Sequence, residues 1–224
     1  MTKTAVRSQA HSGKIFVVGL SRTGTTSLHL ALVVLGRPSV HYPSSAVVRW
    51  MYGKFERDEL SDFEACSDIP VAIYFRELDR RYPGSKFILT TRDERSWLDS
   101  TRAWWANTPP SDRSTLLRDM VRLAAYGSAT YCEDRFLRRY REHLSQVREY
   151  FSGRAPSLLE LDVAAEDKWR KLSRFLDVPE PVIKYPHARS PRLGEFRVVR
   201  REDLIEKREK LLIALTSGKP SAIG

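Results

Sequence analysis

An α/β fold, three-layered with a parallel central sheet between helices, is the class this sequence predicts. Three stretches predict it. "KIFVVGLSRTGTTSLHLALVVLG" (Lys14–Gly36) reads as a buried strand, a glycine-bearing turn and a helix. "KFILTTRDERSWLDSTRAWW" (Lys86–Trp105) repeats that order, and "SLLELDV" followed by "EDKWRKLSRFLDV" supplies another strand and helix. Strands separated by helices imply right-handed crossovers and hence parallel pairing.

The elements follow in order. Residues 1–13 are polar and should be flexible, as should 216–224. "KIFVVGL" is a short β-branched run of the kind buried on both faces of a sheet. The helix after it carries Leu28, Ala31, Leu32 and Leu35 on one stripe and ends at Gly36 and Pro38. "SVHYPSS" reads as a second strand and turn, helical segments are expected from Ala46 to Glu64, and Ile69–Ser85 reads as one helix stopped by Pro83–Gly84. A long helical stretch, roughly Asp112 to Phe151, should break near Gly127. Within it Phe136, Leu137, Tyr140, Leu144 and Val147 share one face, while the arginines alternate with acids on the other. The 168–176 region presents Trp169, Leu172, Phe175 and Leu176 inward; a Pro-rich irregular segment and a closing helix complete the chain. No composition shift marks a linker, so the 224 residues read as one domain.

Composition narrows the function classes. The two cysteines, Cys66 and Cys132, are neither a disulfide framework nor a metal spacing, and no metal site is expected. The first residues lack a secretory apolar core, and no apolar run is long enough to span a bilayer, so a soluble cytoplasmic protein is expected. A net charge of +10 favours anionic ligands. A basic stripe interleaved with aromatics is absent, so nucleic acid is not the expected partner.

The loop "GLSRTGTTS" has Gly19 and Gly24 at the separation found in P-loops. A nucleotide triphosphatase would follow the second glycine with Lys and Ser/Thr, to hold the terminal phosphates and Mg²⁺. Here those positions are Thr25 and Thr26, and the cation comes earlier, at Arg22. Backbone amides at a helix N-terminus can still cradle a phosphate. In the second unit, Arg92 ends a strand, Asp93 can cap the next helix, and Ser100 lies eight residues after Arg92, with Ser96 one turn earlier. An arginine and a hydroxyl so placed can converge on one phosphate.

"SRTGTTSL" resembles the 5′-phosphosulfate loop of the sulfotransferase family, many of whose members carry Lys-Ser-Gly-Thr-Thr or Arg-Thr-Gly-Thr-Thr there. The resemblance runs from the first strand to "YPH" at Tyr185–His187. It implies a P-loop-kinase-like fold and 3′-phosphoadenosine 5′-phosphosulfate (PAPS) as donor, 3′-phosphoadenosine 5′-phosphate as product, and no metal. By the match, Arg22 neutralises the bridging and sulfuryl oxygens, and Thr23, Gly24, Thr25, Thr26 and Ser27 bind the 5′-phosphate. Arg92 and Ser100 match the family's 3′-phosphate site. The implied acceptor is a hydroxyl of a small molecule or carbohydrate.

Asp68, in "CSDIP", stands where many cytosolic members place a catalytic histidine. A carboxylate there can take the acceptor's proton. It also reads as the N-cap of a helix beginning near Pro70, and the two roles are compatible. His41 is the competing base or a substrate contact, and His187, with Arg189 or Arg192, belongs to a loop expected over the cofactor. Asp162 ends a strand and is given no further role. Trp97, Trp104 and Trp105 share a helical face that reads either as core or as the wall of an acceptor cleft, for which Tyr42, Trp50, Tyr52 and Tyr74 are further candidates. Two rival readings remain: a P-loop nucleoside or small-molecule kinase, with Asp162 or Asp93 on a metal, and a non-catalytic basic scaffold.

Overall fold

The structure is a computed structural model that describes residues 13–55, 58–107, 115–187 and 194–216. Its centre is a six-stranded sheet of order β5-β4-β1-β3-β2-β6. The strands are β1 (Ile15–Val17), β2 (Ser39–His41), β3 (Ala65–Ser67), β4 (Lys86–Thr91), β5 (Leu158–Asp162) and β6 (Val198–Val199). All neighbours pair in parallel except β2 with β6.

Alternation along β1 sorts the core into two faces. Ile15 and Val17 pack with α1 (Thr25–Val34), α8 (Lys168–Leu176) and α9 (Leu204–Thr216). Phe16 and Val18 point the other way, toward α2 (Ser44–Met51), α3 (Ile69–Ile73), α4 (Phe75–Arg81) and α7 (Glu133–Tyr150). The result is the expected sandwich of helices around a buried, mainly parallel sheet. A third cluster, with Leu20, Trp97, Tyr126, Phe136 and Tyr140, joins α5 (Glu94–Ala106), α6 (Thr115–Tyr126) and α7 beyond the C-terminal end of β1.

Several boundaries differ from expectation. The helix expected over Ile69–Ser85 is two helices meeting at Tyr74. Within Ala46–Glu64 only α2 is helical among the described residues, and the chain then enters β3, a three-residue strand too short to leave a period. The closing region contains β6, held by pairing to β2 rather than by any strong pattern of its own. The break at Gly127 is present, with Gly127 at φ +70°. The tails expected at 1–13 and 216–224 fall outside the described residues except for Gly13 and Thr216, the latter ending α9.

The chain leaves β1 on one side to build β2 and β3 and on the other to build β4 and β5. The C-terminal end of β1 is therefore a switch point, where open α/β sheets form their ligand crevice.

Candidate active site

The loop after β1 is shaped by two tight approaches. A Cβ on Gly19 would lie 1.9 Å from Thr90 Oγ1 and 2.5 Å from its carbonyl oxygen, so only glycine lets the loop rest on β4. Thr23 and Thr90 hydroxyls meet at 2.6 Å, and Thr23 Oγ1 also donates to Leu20 O at 2.6 Å. The Thr23 amide points to the same carbonyl. Thr23 was expected on the 5′-phosphate; fully buried and with both donors turned inward, it braces the loop instead. Gly24, at φ +93°, leads into α1, whose first turn has no side-chain cap. Helix-start amides, including those of Thr25 and Thr26, thus face the mouth of the loop without a capping side chain. Ser27 lines the adjoining cleft with Gly24, Asp162, Lys168, Tyr185 and His187.

The two expected phosphate motifs meet. Arg22 Nε donates to Ser100 Oγ (3.1 Å), Arg92 Nε donates to Ser96 Oγ (2.8 Å), and Arg92 Nη1 donates to the Arg22 carbonyl (3.2 Å). Asp93 caps α5 by accepting from the Ser96 amide at 2.9 Å, as its position predicted. Tyr140 clamps the backbone of Arg92 at both its amide (2.9 Å) and its carbonyl (2.7 Å). Neither guanidinium has a carboxylate within ion-pair distance among the described residues. Burial, and then the neighbouring Arg92 charge, push the Arg22 guanidinium below its ordinary range. Two cations held together with two hydroxyls form a preorganised anion site, and the paired phosphates of PAPS fit that donor set.

The third part lies after β2 and β3. Asp68 has φ +84° and ψ −179°, a region almost reserved for glycine, and Arg22 (φ +74°) and Tyr42 (φ +62°) also have positive φ. These three non-glycine residues follow β3, β1 and β2, so backbone strain collects at one edge of the sheet. Asp68 makes no side-chain cap to α3, which removes the capping reading. Its carboxylate turns toward the loop instead. Ser21 Oγ donates to Asp68 Oδ1 at 2.5 Å, and His41 Nε2 lies 3.4 Å from Oδ2. His41 Nε2 is also 3.2 Å from Thr26 Oγ1, and its Nδ1 is 2.8 Å from Ser67 Oγ. Burial keeps His41 neutral by lowering its pKa, against the opposing pull of Asp68. Behind it, His29 is pushed down to about 3 by burial and donates from Nε2 to Phe196 O at 2.6 Å.

The aromatic candidates separate. Trp97 is fully buried, stacks on Tyr140 at 4.4 Å and donates from Nε1 to Ser21 O at 3.0 Å; it supports the loop and does not wall an open cleft. Trp50 is likewise core, while Tyr52 is exposed on the surface. Tyr42 lies within the field of Asp68, which, after burial, raises its phenol pKa. Trp104 packs edge-on to Trp105. Asp162 ends β5, accepting from the Ala164 amide at 2.6 Å. Arg189 and Arg192 lie outside the described residues. Sequence reasoning missed Ser21, the donor to Asp68, and His143, whose Nε2 donates to Val18 O (2.6 Å) where β1 runs into the loop. Each carries its meaning only through a partner distant in sequence.

Comparison with known proteins agrees with this geometry. A family model described as a sulfotransferase domain matches residues 14–192. The chain is also 28% identical over 211 residues to the "Ava biosynthesis cluster protein M" of Aspergillus versicolor, covering 78% of this chain and 80% of that protein.

Proposed function

The chain belongs to the sulfotransferase-domain family, and from that premise we propose that it moves a sulfuryl group in line from PAPS to a small-molecule hydroxyl, with Asp68 as base. The observation that carries this reading is the meeting of Arg22, Arg92, Ser96 and Ser100 beside an uncapped helix start, one loop away from a buried carboxylate. PAPS supplies the activated sulfuryl group and a phosphate leaving group.

The chain's own residues do the rest. Helix-start amides from Gly24 to Ser27 would hold the 5′-phosphate, and Arg92 with Ser96 and Ser100 the 3′-phosphate. Arg22, next to Arg92, offsets charge that builds on the leaving oxygen. Ser21 and His41 both orient Asp68, leaving its carboxylate to accept the acceptor's proton. Neutral His41 serves as the orienting partner, with Ser67 fixing its ring. The relative from A. versicolor, named for a biosynthesis cluster, favours a small-molecule acceptor over a carbohydrate.

Calorimetric titration with 3′-phosphoadenosine 5′-phosphate, beside ATP·Mg²⁺, tests the reading on wild type and Arg92→Ala. Tight, metal-independent binding lost in the variant is the expected result. Preference for ATP·Mg²⁺ would overturn it in favour of a kinase.

A further inference from the structure

A second pair of arginines faces the same end of the sheet and serves none of the roles above. Arg118, Arg122 and Tyr126 recur every fourth residue along α6, so they share one face of the helix. Tyr126 is fully buried, and its hydroxyl lies beside Ser21, the residue that donates to Asp68, without a hydrogen bond of good geometry. The same face continues through Arg122 to Arg118, and α6 packs against α3, which begins right after Asp68.

Arg122 is an unusual cation. Its side chain is 7% exposed, yet its partner among the described residues is one carboxylate, Asp119, 3.4 Å from Nη1. Asp119 is itself more open to water, at 36% exposure. The guanidinium stacks over Trp105 at 4.9 Å and Trp104 at 5.3 Å. Its Nε and Nη2, and Nε of Arg118, are buried without a hydrogen-bond partner. With the Tyr126 hydroxyl, these are four of the nine such buried atoms among the described residues, gathered on one helix face. Leaving buried donors unmet is costly, and a ligand that meets them gains accordingly.

Tyr42 lies near charges of both signs: burial and then Asp68 raise its phenol pKa, while Arg122, Arg118 and Arg197 oppose the rise. Burial and then Arg118 lower the Arg122 guanidinium pKa, the mark of two like charges held near each other. An anion between them would relieve that repulsion.

We infer that Arg118 and Arg122 form the acceptor subsite for a carboxylate, so that the molecule sulfated is a hydroxy acid with an aromatic or other flat body between its hydroxyl at Asp68 and its carboxylate on α6. Trp105 and Trp104, set edge-on to each other, hold the Arg122 guanidinium in place for two-point recognition. Four and eight residues of helix separate Tyr126 from the two arginines, about 6–12 Å, which sets the span of the acceptor. The hydroxyl end of this assignment rests on the sulfuryl-transfer reading; the anion end does not.

The test uses a matched pair, 4-hydroxyphenylacetate and its amide, titrated into the full chain with and without 3′-phosphoadenosine 5′-phosphate and followed by tryptophan fluorescence. The acid should bind about 10- to 100-fold more tightly than the amide, as expected for charge-assisted hydrogen bonds. Arg122→Gln should remove that preference and leave binding of the bisphosphate unchanged, while Arg122→Lys should retain part of it. Equal binding of acid and amide, no binding of either, or a preference that survives Arg122→Gln would overturn the inference and leave Arg122 a packing cation. Preference for the acid in a protein that does not bind the bisphosphate would keep the anion subsite and overturn the sulfotransferase reading alone.

Discussion

Two arginine pairs face the C-terminal edge of the sheet, and they are built differently. Arg22 lies in the loop after β1 and Arg92 at the end of β4; both are tied to serines, and Arg92 also to the Arg22 carbonyl, with Arg22 at positive φ. Arg118 and Arg122 ride a regular helix, and Arg122 rests on two tryptophans. The first pair is held by hydrogen bonds that fix direction; the second is held by stacking, which fixes a plane and leaves donors open. Under the proposed function the first pair would meet the donor and the second the acceptor.

That arrangement can be broken or sharpened by experiment, the largest effect first. Asp68→Asn should lower kcat about 10²- to 10⁴-fold while both binding sites keep their ligands. Equal losses in kcat and in bisphosphate affinity would mean that Asp68 belongs to the donor site. Arg92→Ala should weaken bisphosphate binding by about 10- to 100-fold in calorimetry and leave acid binding on α6 intact. Gly19→Ala forces a Cβ against Thr90 and should cost about 1–3 kcal/mol, or several degrees of Tm for a chain of this size. The same variant should distort only the donor pair.

The smallest effect concerns pH. His29 and His143 are held down to about 3 and about 4 by burial, against about 6.5 when unfolded. Between those values the unfolded chain binds the extra proton, so stability is complete above about pH 7 and falls as pH drops through 6.5 toward 4. From pH 7 to 5.5 each histidine should remove about 1.2 kcal/mol. Thermal scans of His143→Gln should show a shallower acid slope than wild type; an unchanged slope would mean that His143 is already protonated in the fold.

Legibility divided along the same line. The β1 loop and the Arg92–Ser100 unit could be read as strand, turn and helix because those signals are local. The sheet class followed from the same units. The three-residue β3 and two-residue β6 could not be read, since pairing across the sheet makes them strands. Asp68 was located, but its choice between capping α3 and facing His41 depended on a backbone φ set by tertiary packing. Trp97 was read as core or cleft, and its full burial, with its stacking on Tyr140, decides for core. The α6 arginines had no motif at all: their significance lies in the partners they lack.

The conformation of Asp68 has a practical consequence for engineering. Its backbone angles suit glycine, so Asp68→Gly should relieve strain on the order of 1–3 kcal/mol at the one residue proposed as base. A library screened for heat resistance alone would enrich that replacement and its counterparts at Arg22 and Tyr42. The hardiest survivors would then be the least active, and any directed evolution of this chain has to select for turnover and thermal endurance together.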